Sequence, residues 1–193
     1  MLFSKRAFAI VNLITAFRIL AAPVLLSLLF TGQWQCFKWL LLVAFLTDLI
    51  DGELARRFNV TSVLGSKLDS IGDDLMVLVA VVGMFVHFPD FIRKELILIV
   101  VMLSLFIFQI ALALFRYGKI SSFHTYAAKL AAFAQGTFLL TSFFFYQPSG
   151  LLFYTAAAIT IIDLMEEIIL VFLIPRWQAN VKGLYWVLRE RRK

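Results

Sequence analysis

The chain is poor in everything that stabilises a small water-soluble domain. It has one cysteine, Cys36, so an internal disulfide is excluded, and that thiol with two histidines makes a zinc site improbable. Four prolines and nine glycines in 193 residues leave no low-complexity linker. Charged residues make up only 16% of the chain, too thin a cover for a surface facing water. What fills their place is apolar: 62% of the residues, 21 of them phenylalanine, with a mean hydropathy of +0.93. Soluble globular, coiled-coil and disordered classes are therefore excluded. At roughly 20 apolar residues per crossing, the composition supplies about six membrane spans. The expected fold is an all-α integral membrane protein, a single domain over residues 1–193.

Six apolar runs carry that expectation: Ala16–Phe30, Phe37–Ala55, Leu68–Phe88, Leu96–Phe115, Ala127–Tyr146 and Leu151–Ile174. Leu2–Thr15 mixes Lys5, Arg6 and Asn12 with Phe3, Phe8 and Ile10, the pattern of a short interfacial helix. It does not read as a cleavable signal, because Arg18 interrupts the apolar run and no small-residue cleavage site follows. The net charge of +6 is read as membrane orientation rather than nucleic-acid binding. With the N-terminus inside, only Lys38, Arg93 and Lys94 of the 18 basic residues fall outside. Both termini are then cytoplasmic. Trp34, Trp39, Tyr146 and Tyr154 mark the outer boundary, and Trp177, Tyr185 and Trp186 the inner one. The tail Arg176–Lys193 reads as a basic, aromatic helix on an anionic leaflet.

Acidic residues in such a chain need a reason, since an ionised carboxylate near hydrocarbon costs several kcal/mol. Asp48 and Asp51 stand at i, i+3 at the inner end of the second span, and Asp69 and Asp73 at i, i+4 at the inner start of the third. An antiparallel hairpin brings the four together at the cytoplasmic mouth. Taken singly, each reads equally well as a solvated boundary residue. As a set on two facing stripes they repel one another unless cations sit between them, and oxygen-only ligands favour Mg²⁺, Mn²⁺ or Ca²⁺. Four carboxylates suit two divalent ions, the arrangement used in phosphoryl displacement. Gly52 and Ala55 leave a helix face without bulk, and Arg56 offers a fork for phosphate oxygens.

Asp48, Asp51, Gly52, Ala55, Arg56, Gly65, Asp69 and Asp73 together spell D-x2-D-G-x2-A-R-x8-G-x3-D-x3-D. This resembles the signature of the CDP-alcohol phosphatidyltransferase family, and the basic residues with the Arg116–Lys119 element resemble its phosphatidylglycerophosphate synthases. Asn12, Thr15 and Arg18 resemble the family's N-terminal N-x2-T-x2-R element, with Val11 where many members have proline. Asp74 stands where many members have lysine. The resemblance implies a metal-dependent enzyme of phospholipid biosynthesis that displaces CMP from CDP-diacylglycerol with an alcohol acceptor. It implies two Mg²⁺ or Mn²⁺ ions on Asp48, Asp51, Asp69 and Asp73, with Asp73 doubling as general base. It places Gly52, Ala55, Arg56 and Gly65 on the CDP donor. It implies a homodimer in a bacterial-type inner membrane with the active site on the cytoplasmic side.

The acceptor pocket is less legible. Arg116, Lys119, His124 and Lys129 gather where the fourth span ends and the fifth begins, and suit an acceptor phosphate; glycerol 3-phosphate is the leading acceptor. Arg116 and Lys119 also read as inner-leaflet charges among headgroups. Lys129 also reads as the partner of Glu166 or Glu167, which share one face of the sixth span with Asp163. The context Leu68-Asp69-Ser70 and Asp74 leans away from the glycerophosphate members, leaving serine, inositol phosphate or phosphatidylglycerol as alternative acceptors. A cation transporter and an idle scaffold are the competing classes. The acids cluster at one membrane edge rather than crossing it, and all four motif carboxylates are present.

Overall fold

The structure, a computed structural model, describes the backbone of residues 2–58, 63–119, 123, 125–178 and 181–191, and the side chains of 16–47, 72, 75–119, 123, 125–178 and 181–190. The described residues are almost wholly α-helical: α1 Leu2–Phe30, α2 Trp34–Phe58, α3 Val63–His87, α4 Pro89–Lys94, α5 Leu96–Tyr117, α6 Tyr126–Phe145, α7 Gly150–Leu173 and α8 Leu184–Arg191. Six of these match the six apolar runs. The N-terminal stretch expected as a short interfacial helix leading into the first span runs without a break into it, as the first turns of α1. Among the described residues the basic tail is helical over α8; Pro175 cannot continue α7, and Gly183 takes φ +145° just before α8. The short α4 has no counterpart among the six runs.

The chain divides into two compact units, Met1–Pro89 and Asp90–Lys193. In the first, α1 packs against α2 and α3. Its core is Leu25, Leu29, Phe37, Leu41, Met76, Val79 and Met84, with Ala21, Ala22, Ala44 and Ala80 between them. Small residues let helix backbones approach closely, the main source of packing energy where lipid competes for apolar contact. The α1–α2 turn closes as a Schellman motif: Gly32 N–H bonds to the Leu29 carbonyl at 3.3 Å and Gln33 N–H to Leu28 at 2.9 Å. Gly32 takes φ +74° to do so. At the same end, the Trp34 ring lies flat on His87, centroids 3.6 Å apart and planes 4° from parallel. The start of α2 therefore stands beside the end of α3, and the two helices run antiparallel.

The second unit is built on α7, which packs against α5, α6 and α8. Tyr154 Oη donates to Glu95 Oε1 at 2.8 Å at one end, and Tyr117 Oη reaches the carbonyls of Ile174 (2.8 Å) and Val171 (3.1 Å) at the other. These contacts make α5 and α7 parallel. Gln135 Nε2 donates to Thr160 Oγ1 at 2.7 Å, and Phe138 meets Phe153 with centroids 5.4 Å apart, so α6 runs antiparallel to α7. Phe115 is 93% exposed and Ile97 82%, an outer face suited to lipid rather than water. Among the described residues α5 and α6 are long and apolar enough to cross a membrane. Helix α7 is equally long but carries Asp163, Glu166 and Glu167.

Gly32 faces open space, so its cost of substitution is conformational alone. Gly32→Ala is expected to destabilise the protein by about 1 kcal/mol and Gly32→Asn by less, since Asn tolerates the left-handed region. Thermal unfolding of the detergent-solubilised variants checks this; an unchanged midpoint for Gly32→Ala would show that the turn does not need its left-handed residue.

Candidate functional site

Helical rise fixes where the motif residues stand. From the Trp34–His87 contact, Asp48 lies about 21 Å along α2 and Asp73 about 21 Å back along α3, while Asp51 and Asp69 lie about 26 and 27 Å along, at 1.5 Å per residue. The four motif positions thus form two matched levels on neighbouring antiparallel helices. The side chains of Asp48, Asp51, Gly52, Ala55, Arg56, Gly65, Asp69 and Asp73 lie outside the described residues, as does His124. Among the described residues no three of His, Cys, Asp and Glu come together. The donor set itself, four carboxylates and no nitrogen or sulfur, fits hard divalent cations.

Arg18 belongs to this level too. It is fully buried (0% exposed), and a Cβ at Gly72 would lie 3.6 Å from its Cβ and 3.9 Å from both Cζ and Nε. Gly72 immediately precedes Asp73 in the chain. A guanidinium taken out of water requires anionic company, so α1 delivers a fixed positive charge to the depth of the motif carboxylates. The N-x2-T-x2-R pattern flagged this residue, but only the packing of α1 on α3 reveals its burial.

The second unit gathers basic residues at the end where α5 stops, α6 starts and α8 sits. Arg116 Nη2 donates to the Phe172 carbonyl at 3.4 Å, close to the two carbonyls reached by Tyr117, so both side chains satisfy backbone acceptors at the end of α7. Lys119 Nζ stands 5.3 Å from the centre of the Trp177 ring, and Lys129 Nζ 5.5 Å from that of Tyr126. All three basic residues remain exposed. The expected pairing of Lys129 with Glu166 does not form. Lys129 turns outward, and Glu166 Oε1 instead accepts the Leu184 N–H at 2.7 Å. Asp163, 8% exposed, accepts from Thr125 Oγ1 at 3.2 Å. These carboxylates serve helix starts, a use that sequence spacing alone does not show.

The Gly72 contact gives a test of the packing under the motif. A single Cβ at ordinary contact distance is tolerated, so Gly72→Ala is expected to hold stability within about 1 kcal/mol. Gly72→Leu forces Arg18 aside and is expected to cost about 1–3 kcal/mol. Thermal unfolding of the two variants measures the difference, and equal midpoints would refute the close approach.

The chain is 39% identical over 80 residues to a CDP-diacylglycerol–glycerol-3-phosphate 3-phosphatidyltransferase of Cereibacter sphaeroides, covering 38% of this chain and 35% of that protein. It is 34% identical over 84 residues to the enzyme of that name in Escherichia coli, covering 42% and 46%. It is 36% identical over 87 residues to a cardiolipin synthase (CMP-forming) of Streptomyces coelicolor, covering 42% and 40%. In each of these the match spans less than half of the relative's length. No solved structure matches the chain. The sequence matches the CDP-alcohol phosphatidyltransferase family over residues 8–170, through both helical units, and the chain belongs to that family.

Proposed function

We propose that the chain transfers a phosphatidyl group from CDP-diacylglycerol to a small polar alcohol, glycerol 3-phosphate first among them, releasing CMP. The observation that carries this reading is the two-level placement of the four motif aspartates on antiparallel α2 and α3. The family match over residues 8–170 supports treating both units as one functional domain. Relatives named for glycerol 3-phosphate and for cardiolipin synthesis both match, so phosphatidylglycerol is the second acceptor to test.

In this reading six helices, α1 to α3 and α5 to α7, cross a bacterial-type inner membrane with both termini cytoplasmic. The tail helix lies on the inner leaflet, and the protein is a homodimer. The parallel course of α5 and α7, with α6 antiparallel to α7, supports alternate crossings. Asp48, Asp51, Asp69 and Asp73 would hold two Mg²⁺ or Mn²⁺ ions, which when bound supply charge neutralisation for the pyrophosphate. Gly52, Ala55 and Gly65 border the cytidine diphosphate, and Arg56 grips its phosphates. Arg18 offsets part of the negative charge that four carboxylates and a pyrophosphate bring together. The acceptor hydroxyl attacks the phosphorus that carries diacylglycerol. Its oxygen forms the new P–O bond, the bond to CMP breaks, and the proton passes to Asp73. The lipid tails remain among the helices, which accounts for catalytic groups at the membrane edge. Arg116, Lys119, His124 and Lys129 provide the cationic rim for an acceptor phosphate.

The decisive experiment is CMP release by purified protein with CDP-diacylglycerol and a panel of glycerol 3-phosphate, serine, inositol phosphate and phosphatidylglycerol. Activity is expected with Mg²⁺ or Mn²⁺ and lost in chelator, and Asp69→Asn is expected to abolish it with membrane insertion intact. Full turnover in EDTA would overturn the metal assignment. Asp73→Asn is expected to lower kcat more than it weakens donor binding; weaker donor affinity with kcat unchanged would reassign Asp73 to binding alone. For a phosphate-bearing acceptor, neutralising the responsible basic residue is expected to raise acceptor KM roughly 10- to 150-fold, the equivalent of about 1.5–3 kcal/mol. If neutralising Arg116, Lys119, His124 and Lys129 in turn leaves acceptor KM unmoved, glycerol 3-phosphate is the wrong acceptor.

A further inference from the structure

The acids of α7 are the polar groups that the proposed chemistry leaves unused. Two of them converge on the same end of the second unit. Asp163 is buried and accepts the Thr125 hydroxyl at 3.2 Å. Thr125 is itself fully buried, and its Oγ1 accepts the Ala128 N–H at 3.0 Å, capping α6. The hydroxyl proton is thus committed to the carboxylate and a lone pair to the helix. One turn further along α7, Glu166 Oε1 accepts the N–H of Leu184, the first residue of α8. The ring is closed by the Tyr126 N–H, which bonds to the Lys182 carbonyl at 3.3 Å. Gly183 makes this possible: at φ +145° its Cβ would lie 3.0 Å from Glu166 Oε1 and 3.4 Å from the Trp186 ring. Trp186 in turn meets Tyr126, centroids 5.3 Å apart. Below the ring, Val181, Leu184 and Val187 pack on a cluster of Phe123, Leu170, Val171 and Ile174.

We propose that Asp163 and Glu166 are positioning residues: together they clamp the start of α6 to the C-terminal helix α8 and so hold the segments that carry Lys129 and Lys182 together to receive the phosphate of the acceptor. The proposal rests on the reading of this end as the acceptor side. Both lysines are exposed: Lys129 follows the Ala128 N–H that Thr125, itself bonded to Asp163, caps, and Lys182 stands two residues before the Leu184 N–H that Glu166 holds. Freed from the clamp, the two helix starts separate and the pair of cations is lost as a unit, whereas the donor's motif on α2 and α3 is untouched.

The test uses the full chain in nanodiscs, with kinetics by CMP release and hydrogen exchange of the amides at 126–129 and 184–187. Thr125→Val, Asp163→Leu and Glu166→Leu are expected to raise the KM for glycerol 3-phosphate roughly 3- to 10-fold, with the CDP-diacylglycerol KM within about twofold of wild type. Exchange at both helix starts is expected to quicken. Thr125→Ser and Glu166→Gln keep an oxygen in place and are expected to restore both readouts, which also covers failure of the apolar variants to fold. A parallel rise in both KM values, or faster exchange with acceptor KM unmoved, would make the two acids merely structural and overturn the proposal. Wild-type protein that releases no CMP with any acceptor would overturn the proposed function instead. The clamp then stands or falls on exchange, and unchanged protection in Thr125→Val and Glu166→Leu would overturn it too.

Discussion

A helix surrounded by hydrocarbon gains little from apolar contact with its neighbours, because lipid offers the same contact, so polar ties decide where helices stand. In the second unit α7 carries such ties along its whole length. Tyr154 meets Glu95 near its start, Thr160 meets Gln135 in the middle, Asp163 meets Thr125 beyond that, and its last carbonyls receive Tyr117 and Arg116. Each tie fixes depth as well as proximity. The neighbouring helices cannot slide along α7 without leaving a buried polar group unsatisfied, at a cost of about 1–3 kcal/mol each.

The comparable feature of the first unit is a cation, Arg18, that is fully buried. Arg18 occupies space that an apolar side chain would fill more cheaply, and it does so against Gly72, the residue before Asp73. Gly72 lies against the Arg18 side chain, with room for no more than a single added carbon at ordinary contact distance. A third helix thereby brings a positive charge against the residue next to Asp73.

Much of this was legible in the sequence, and for identifiable reasons. Long apolar runs have one stable form in lipid, a helix, because every backbone amide must be satisfied within it, and the six expected runs match six observed helices. The motif was legible because its spacing is local to a single hairpin. The partners of Lys129 and Glu166 were not. Glu166 is claimed by an amide 18 positions on, and Asp163 by a hydroxyl 38 positions back, contacts that depend on where whole helices pack. Charge matching alone favoured a lysine–glutamate pair; an available helix start competed for the carboxylate and won. The short α4 was missed because six residues hold no period to read, and the break before α8 because a glycine at an ordinary position does not advertise its φ.

The flat Trp34–His87 contact makes α2 and α3 a matched pair of rulers. Adding or removing one residue between Trp34 and Asp48 would move the carboxylates on α2 by 1.5 Å and swing them about 100° around the helix, with no answering change on α3. Length variation in descendants of this chain should accordingly be confined to the turn at 31–33 and the loops of the second unit. The stretches Trp34–Asp51 and Asp69–His87 should keep their length through any amount of apolar substitution.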